Sequence, residues 1–205
     1  MPRQFINPTE IPSDCKLTKA DLDTPFLAVD LNKMDFNISR LSQATKDFNV
    51  DWRPHCKGHK SSIIATRLVA AGAIGATCAK LAEAEVMVRG GVPDVLIANL
   101  IVGDSKLRRL ANLCKEGDPI VCIDHLDQAI PMNDAMLREA VQCRVIIEVN
   151  IGLDRFGCNP EETLALAREL HAMQGLKFSG IMGYEGHLLT IEDQDEKRSE
   201  IEKAL

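Results

Sequence analysis

Short hydrophobic runs recur along most of the chain, separated by segments in which apolar positions return every three or four residues. The runs are typical of strands buried on both faces, and the segments between them are typical of amphipathic helices. They predict strands at 26–31, 52–57, 75–79, 95–100, 120–124, 144–150 and 178–184. Because strands alternate with helical segments, the pattern predicts an α/β fold with a parallel sheet.

Residues that cap helices mark the ends of several predicted helices. Serine or asparagine stands at the start and glycine at the end of three segments, 61–72, 105–117 and 159–175. A helix is also predicted at 35–48, and another from Ile191 onward has no stop signal before Leu205. We therefore expect about six β-α units and a chain that is truncated.

Two architectures fit repeated β-α units, an open doubly wound sheet and a (β/α)8 TIM-type barrel, which typically takes about 250 residues. Neither G-x-G-x-x-G nor G-x-x-x-x-G-K occurs in the sequence, which argues against a nucleotide-binding crevice. An unclosed parallel sheet would also leave two unpaired edges. We predict an incomplete barrel over 26–205, preceded by a proline-rich arm over 1–25.

The composition of the chain indicates which kinds of partner the protein can bind. The 30 acidic and 24 basic side chains give a net charge of -6, so we expect no nucleic-acid partner. The sequence has neither an apolar stretch of membrane-spanning length nor a secretion signal, which predicts a cytoplasmic protein without a membrane partner. Seven cysteines without a C-x-x-C pair predict buried thiols rather than disulfides or a zinc site.

The densest group of chemically active residues is the lysine motif, residues 53–60, with the sequence R-P-H-C-K-G-H-K. Strand alternation places Arg53, His55 and Lys57 on one face, at a strand end where barrels build their sites. A lysine amine there is a nucleophile suited to Schiff-base chemistry. The alternatives are an exposed basic loop and a His55–His59 metal site, which the intervening glycine disfavours.

This motif, with Thr24-Pro25 and Asp30 before it, resembles the D-threonine aldolase and D-serine dehydratase family of fold-type III pyridoxal-phosphate enzymes, relatives of alanine racemase. The resemblance implies that Lys57 holds pyridoxal 5'-phosphate as a Schiff base, with His55 as a further cofactor-binding residue. It implies a barrel of the alanine racemase N-terminal type. The family's smaller C-terminal β domain would lie beyond Leu205.

Two later segments strengthen the resemblance. Residues 148–157 are similar to the family's E-V-[DN]-x-G-x-x-R-x-G run, which makes Arg155 a cofactor-binding candidate. Residues 180–187 end the last predicted strand, where the resemblance places Tyr184 beside the cofactor ring. His187 is a candidate general base, with a surface histidine as the alternative. The best-known aldolases carry a further histidine downstream, where this chain has 188–190 (L-L-T), so the aldolase assignment is weakened.

Other polar residues at predicted strand ends are weaker candidates. Lys80 and Asn99 would lie in or beside the barrel mouth and contact substrate or cofactor. Asp124-His125 ends a strand and is either a supporting pair for the site or a helix cap.

The resemblance implies a pyridoxal-phosphate-dependent lyase that acts on D-3-hydroxy amino acids, by retro-aldol cleavage or by elimination. A divalent metal would assist, with its ligands beyond residue 205 and none assigned within the chain. The expected partners are a small D-amino acid and a second copy in a homodimer. Two alternatives stay open: an amino-acid racemase of the alanine racemase type, and a non-catalytic pyridoxal-phosphate homeostasis protein.

Overall fold

Five apolar strands pair side by side into one parallel sheet. They are β1 Ala76–Cys78, β2 Asp94–Leu100, β3 Asp118–Ile123, β4 Cys143–Glu148 and β5 Leu176–Met182. Their order in the sheet follows their order in the chain. A doubly wound sheet reverses its strand order at a switch point, whereas a barrel does not. The sheet therefore confirms the predicted α/β fold and its barrel type.

The computed structural model describes residues 18–205. The chain divides into two compact units, Met1–Asn37 and Ile38–Leu205, and the sheet belongs to the second. Most of the predicted N-terminal arm over 1–25 lies outside the described residues. Its described part contains one 3-10 turn, Lys19–Asp21, in which the Asp21 carboxylate accepts the backbone N–H of Thr18 at 2.7 Å.

Seven α-helices occur in the described part of the chain. They are α1 Leu31–Asp47, α2 Ser62–Ala70, α3 Leu81–Arg89, α4 Asp104–Glu116, α5 Leu126–Arg138, α6 Thr163–Ala172 and α7 Gln194–Ala204. Helices α3 to α6 connect successive strands, as parallel pairing requires. Within residues 18–205, no helix combines the length and the apolar character that a bilayer span needs.

The predicted strand at 26–31 is wrong. Residues 26–30 have no regular secondary structure, and α1 begins at Leu31 with Asp30 as its cap. The Asp30 carboxylate accepts the backbone N–H of Lys33 at 3.1 Å. An apolar run becomes a strand only when a neighbouring backbone satisfies its N–H and C=O groups, and no such ladder forms here among the described residues.

The predicted strand at 52–57 is reduced to an edge segment. Three backbone hydrogen bonds of 2.7 to 3.0 Å join residues 52–56 to residues 74–77, with a single parallel bridge between His55 and Thr77. Pro54 has no N–H to extend the ladder, and the chain turns directly after His55. The segment nevertheless adds a sixth parallel backbone beside β1.

Most predicted helix ends are confirmed. The Ser61 hydroxyl accepts the backbone N–H of Ile64 and caps α2. Asn159 and Glu162 form a capping box around a 3-10 turn that leads into α6. For α4 the predicted cap is wrong, because Gly103 occupies the cap position and Ser105 lies inside the helix.

The hydrophobic core lies between the sheet and helices α3 to α6. Alternate strand residues point into it and are fully buried: Val95, Ile97, Val121, Ile123, Val145 and Ile147. The residues between them project to the opposite face of the sheet. On β2 these are Leu96 and Ala98, which line the cavity described below. The cysteines within residues 18–205 are free thiols.

Candidate active site

A cavity of about 540 Å³ opens where the strands end. Its volume is within the range of about 300 to 1,000 Å³ that is usual for small-molecule sites. The polar side chains that line it come from five separate segments: His55, Lys57, Thr77, Asn99, Arg155 and Tyr184. Apolar side chains form much of the remaining wall: Leu96, Ala98, Phe156 and Met182. The structure thus brings all four predicted cofactor-binding side chains around one cavity.

Lys57 reaches the cavity from a tight turn. The turn covers residues 56–60 and is closed by a hydrogen bond from the Lys60 N–H to the Cys56 carbonyl at 2.8 Å. Cys56 is buried, whereas Lys57 is exposed at the cavity mouth. The lysine amine is therefore accessible to a ligand in the cavity while its backbone is anchored to the sheet.

His55 is held by its own backbone turn. Its Nδ1 accepts the backbone N–H of Lys57 at 3.2 Å, so the neutral ring carries its proton on Nε2. Burial lowers the pKa of His55, and the positive charge of Lys57 lowers it further. The Glu83 carboxylate and the Thr77 backbone oppose this shift only in part. His55 thus favours the neutral form and offers an N–H donor to the cavity.

The second half of the lysine motif supports the turn from outside the cavity. His59 Nδ1 accepts the backbone N–H of Ser61 at 3.0 Å. Lys60 Nζ lies 3.1 Å from one oxygen of Glu83, whose other oxygen accepts the backbone N–H of Ala79 at 2.8 Å. Sequence reasoning missed Glu83, and its only signal was a carboxylate near the start of an apolar-periodic segment.

Glu83 is a buried carboxyl group. Burial by itself would raise the pKa of Glu83, but the Ala79 N–H and Lys60 together hold that pKa below its usual value. The carboxylate therefore links the turn that carries Lys57 to the end of β1.

Arg155 projects from the arginine loop, residues 150–157, which follows β4. Its guanidinium carbon lies 5.3 Å from the centre of the Phe156 ring and 5.5 Å from that of Tyr184. Both distances are within the range of cation–π contacts. Tyr184 follows β5, so the two motifs that the sequence singled out meet at one wall of the cavity.

His187 lies beside Gly152 of the arginine loop. It belongs to a 3-10 turn, Gly186–Leu188, and is not among the residues that line the cavity. A Cβ atom at Gly152, where φ is +110°, would lie 3.0 Å from His187 Nε2. The glycine thus leaves space for the imidazole, and the role of His187 as a general base stays a prediction.

The weaker candidates divide between cavity and surface. Asn99 lines the cavity, and its amide donates to the Ala79 carbonyl and accepts the Leu100 N–H, both at 2.9 Å. Lys80 is exposed at the cap position of α3 and does not line the cavity.

The two members of the Asp124-His125 pair have separate roles. His125 caps α5, because its Nδ1 accepts the backbone N–H of Asp127 at 3.1 Å. The Asp124 carboxylate instead accepts the backbone N–H of Gly157 at 3.2 Å, in the arginine loop.

A buried carboxyl lies near this wall. Glu148 ends β4, is 5% exposed, and pairs in register with Met182, a cavity-lining residue. Burial raises the pKa of Glu148, the nearby Arg155 opposes that shift, and Asp124 adds to it. The sequence placed Glu148 inside a motif without indicating its burial.

Arg53 is directed away from the cavity. It pairs with Asp94, and Arg144 contacts the carboxylates of Asp94 at 3.1 Å and Asp118 at 2.8 Å. Asp94 and Asp118 begin β2 and β3, so this charged cluster lies at the N-terminal ends of the strands. Active sites of barrel enzymes lie at the C-terminal ends of the strands, so Arg53 forms its ion pair at the end opposite to the cavity.

The residues present fit pyridoxal phosphate. An amine able to bond an aldehyde, a permanent cation and a phenol share one cavity with largely apolar walls. His55 adds a neutral donor. Within the described range, no group of three or more histidine, cysteine, aspartate or glutamate side chains could hold a metal ion.

The sequence matches the family described as alanine racemase, N-terminal domain, over residues 29–205. A D-threonine aldolase of Arthrobacter sp is 33% identical over 179 residues, which are 87% of this chain and 47% of that protein. The solved D-threonine aldolase of Filomicrobium marinum is similar with a TM-score of 0.88 and 37% identity, covering 91% of this chain and 51% of that one.

A solved D-threo-3-hydroxyaspartate dehydratase from Delftia sp. is similar with a TM-score of 0.80 and 29% identity, covering 89% of this chain and 49% of that one. The chain therefore spans about half the length of these relatives. The family match covers most of the chain and agrees with the sequential parallel sheet and the cavity at its C-terminal edge. This chain belongs to the alanine racemase N-terminal domain family.

Proposed function

We propose that this chain is the cofactor-bearing part of a pyridoxal-phosphate-dependent lyase that acts on D-3-hydroxy amino acids. The observation that carries the proposal is the meeting of Lys57, Arg155 and Tyr184 around one cavity at the C-terminal strand ends. The relatives named above support the lyase class, since their names are those of aldolases and a dehydratase acting on D-amino acids.

Lys57 supplies the amine that bonds the cofactor's aldehyde carbon, because it is the lysine that lines the cavity among residues 18–205. When bound, pyridoxal phosphate accepts the electron pair left when a bond at the substrate Cα breaks. Arg155 supplies a permanent cation held against the Tyr184 ring, and His55 supplies an N–H donor. Leu96, Ala98 and Met182 give the cavity an apolar wall against which the ring of the cofactor would pack.

His187, which lies beside Gly152 of the arginine loop, would act as the general base. A divalent metal held beyond residue 205 would lower the pKa of the substrate hydroxyl or improve it as a leaving group. The protein would work as a homodimer in the cytoplasm.

The attachment of the cofactor is tested by borohydride reduction of the full-length protein mixed with pyridoxal phosphate, followed by peptide mass spectrometry. We expect the reduced cofactor on Lys57 and its loss in Lys57→Ala. Lys80→Ala is the matched control, because Lys80 is an exposed lysine outside the cavity. Cofactor trapped equally well in Lys57→Ala would refute the attachment site.

The reaction class is tested by identifying products from D-threonine and from 3-hydroxy-D-aspartate, with and without a chelator. Glycine with an aldehyde indicates an aldolase, and ammonia with a keto acid indicates a dehydratase. The L-enantiomer as product would instead establish a racemase. Trapped cofactor without any product would favour a cofactor-carrying protein.

A further inference from the structure

The arginine loop is organised by one side chain, that of Asn150. Its Oδ1 accepts the backbone N–H of Gly152 at 3.0 Å and that of Asp154 at 3.2 Å. Its Nδ2 donates to the Asp154 carboxylate at 2.8 Å. Three hydrogen bonds therefore fold residues 150–154 around a single amide, and Asp154 adopts a positive φ of 54° within this turn.

Both ends of the loop are also joined through the backbone. The Asn150 N–H donates to the Cys158 carbonyl at 2.9 Å, and the Cys158 N–H donates to the Glu148 carbonyl at 3.0 Å. Gly157, with a φ of +105°, passes so close that a Cβ atom there would lie 2.5 Å from the Asn150 nitrogen. The loop therefore returns to the end of β4 with little freedom.

Arg155 lies between two anchored positions. On one side Asp154 is bound by Asn150, and on the other side the Gly157 N–H is bound by the Asp124 carboxylate at the end of β3. The guanidinium itself contacts aromatic rings, which constrain its direction only weakly. The loop backbone thus fixes the point from which the Arg155 side chain projects towards the cavity.

We propose that Asn150 is a positioning residue that holds Arg155 at the cavity wall. An amide fits this position because it accepts two N–H groups and donates to a carboxylate at the same time. An aspartate at 150 would keep the acceptors but would place a second carboxylate against Asp154. The consequence for cofactor affinity rests on the proposed function, whereas the geometry of the loop does not.

The test compares the full-length wild-type protein with Asn150→Ala, Asn150→Asp and the exchange N150D/D154N. The exchange swaps the amide and the carboxylate and retains a donor–acceptor pair between the two positions. Asn159→Ala is the matched control, because Asn159 caps the turn before α6 without contacting the arginine loop. Thermal unfolding of every variant shows whether it is folded.

Two readouts do not need the cofactor. Fluorine NMR of the 3-fluorotyrosine-labelled full-length protein, in which Tyr184→Phe identifies the Tyr184 signal, reports on the contact with Arg155. Amide hydrogen exchange reports on Gly152 and Asp154. We expect Asn150→Ala to shift the Tyr184 signal in the direction that Arg155→Ala does and to speed amide hydrogen exchange at Gly152 and Asp154. The double substitution N150D/D154N should restore the wild-type signal and exchange rates.

The third readout is pyridoxal-phosphate affinity, which we expect Asn150→Ala to weaken about tenfold, by analogy with the loss of residues that orient metal ligands. Asn159→Ala should leave all three readouts unchanged. A folded Asn150→Ala protein with the wild-type Tyr184 signal and amide exchange would overturn the inference. If the wild-type protein binds no cofactor, the proposed function fails, and the NMR and exchange measurements still decide the role of Asn150.

Discussion

The Arg155 guanidinium carbon lies 5.5 Å from the centre of the Tyr184 ring, which connects the loop after β4 with the end of β5. Such a contact contributes about 0.5 to 1 kcal/mol at an exposed site. Tyr184 is 39% exposed, so the contact alone is too weak to fix a cation. Its geometry therefore depends on the hydrogen bonds within the arginine loop.

Arg155→Lys separates the shape of this side chain from its charge. Lysine keeps the positive charge but loses the planar group that lies over the aromatic rings, so we expect pyridoxal-phosphate affinity to fall about tenfold. Equilibrium titration of the full-length protein measures this change. Arg109→Lys is the control, because Arg109 pairs with Glu85 on the helical surface. Equal affinity in wild type and Arg155→Lys would show that only the charge matters.

We expect Glu83 to stabilise the turn of residues 56–60 mainly through its hydrogen bond with the backbone N–H of Ala79. Glu83→Ala leaves the Ala79 N–H without its acceptor and should lower the free energy of unfolding by about 1 to 3 kcal/mol. Lys60→Met takes the cation away from a Glu83 side chain that is 9% exposed, but the Ala79 N–H still binds that carboxylate, so it should cost less than Glu83→Ala. Urea unfolding measures both. A larger loss in Lys60→Met would contradict this division.

The charged cluster at the N-terminal strand ends offers a matched pair of aspartates. Asp94→Ala removes a contact from both Arg53 and Arg144, whose side chains are 13% and 19% exposed. We expect a loss of about 1.5 to 3 kcal/mol in unfolding free energy, because Arg53 loses its counter-ion whereas Arg144 keeps Asp118. Asp118→Ala should cost less than about 1 kcal/mol, since that side chain is 65% exposed. Equal losses would argue against burial as the cause.

Glu148 is expected to make stability depend on pH. Its pKa is raised in the folded state by burial, so above the usual value of 4.5 the folded protein binds more protons than the unfolded chain. The contribution of Glu148 to the free energy of unfolding is therefore fully present below pH 4.5, and it is lost as the pH rises through the pKa of the folded state. We expect Glu148→Gln to be more stable than wild type near neutral pH.

The stability difference between Glu148→Gln and wild type should shrink as pH falls toward 4.5. Denaturant unfolding at several pH values measures it. Glu85→Gln is the control with the opposite sign, because hydrogen bonding to Arg109 lowers the pKa of Glu85. Parallel stability profiles for wild type and Glu148→Gln would contradict the raised pKa.

The central strands could be predicted from sequence because each is an almost continuous apolar run. The runs at 95–100, 120–124, 144–150 and 178–184 correspond to β2 through β5 with boundaries that differ by at most two residues. The run at 26–31 is equally apolar but has no ladder partner among the described residues. Composition shows that a segment can be buried, and it does not show which backbone lies beside it.

Site residues with a motif around them could be selected from sequence, and the structure brings Lys57, His55, Arg155 and Tyr184 around one cavity. Their roles stay proposals. The supporting residues could not be selected in this way, because their function depends on contacts between distant segments. Asp124 is 33 residues away from the Gly157 N–H that it binds.

The sequence by itself determined the alternation of strands and helices, because strands buried on both faces are continuous apolar runs and the helices between them repeat apolar residues every three or four positions. It also determined which side chains carry an amine, a cation or a phenol at strand ends. Only the tertiary structure decided which of them share a cavity, since His187 and Tyr184 are close in sequence but only Tyr184 lines the cavity. The physical reason is that pairing and packing join backbone groups far apart in the chain, and those contacts fix where each side chain points.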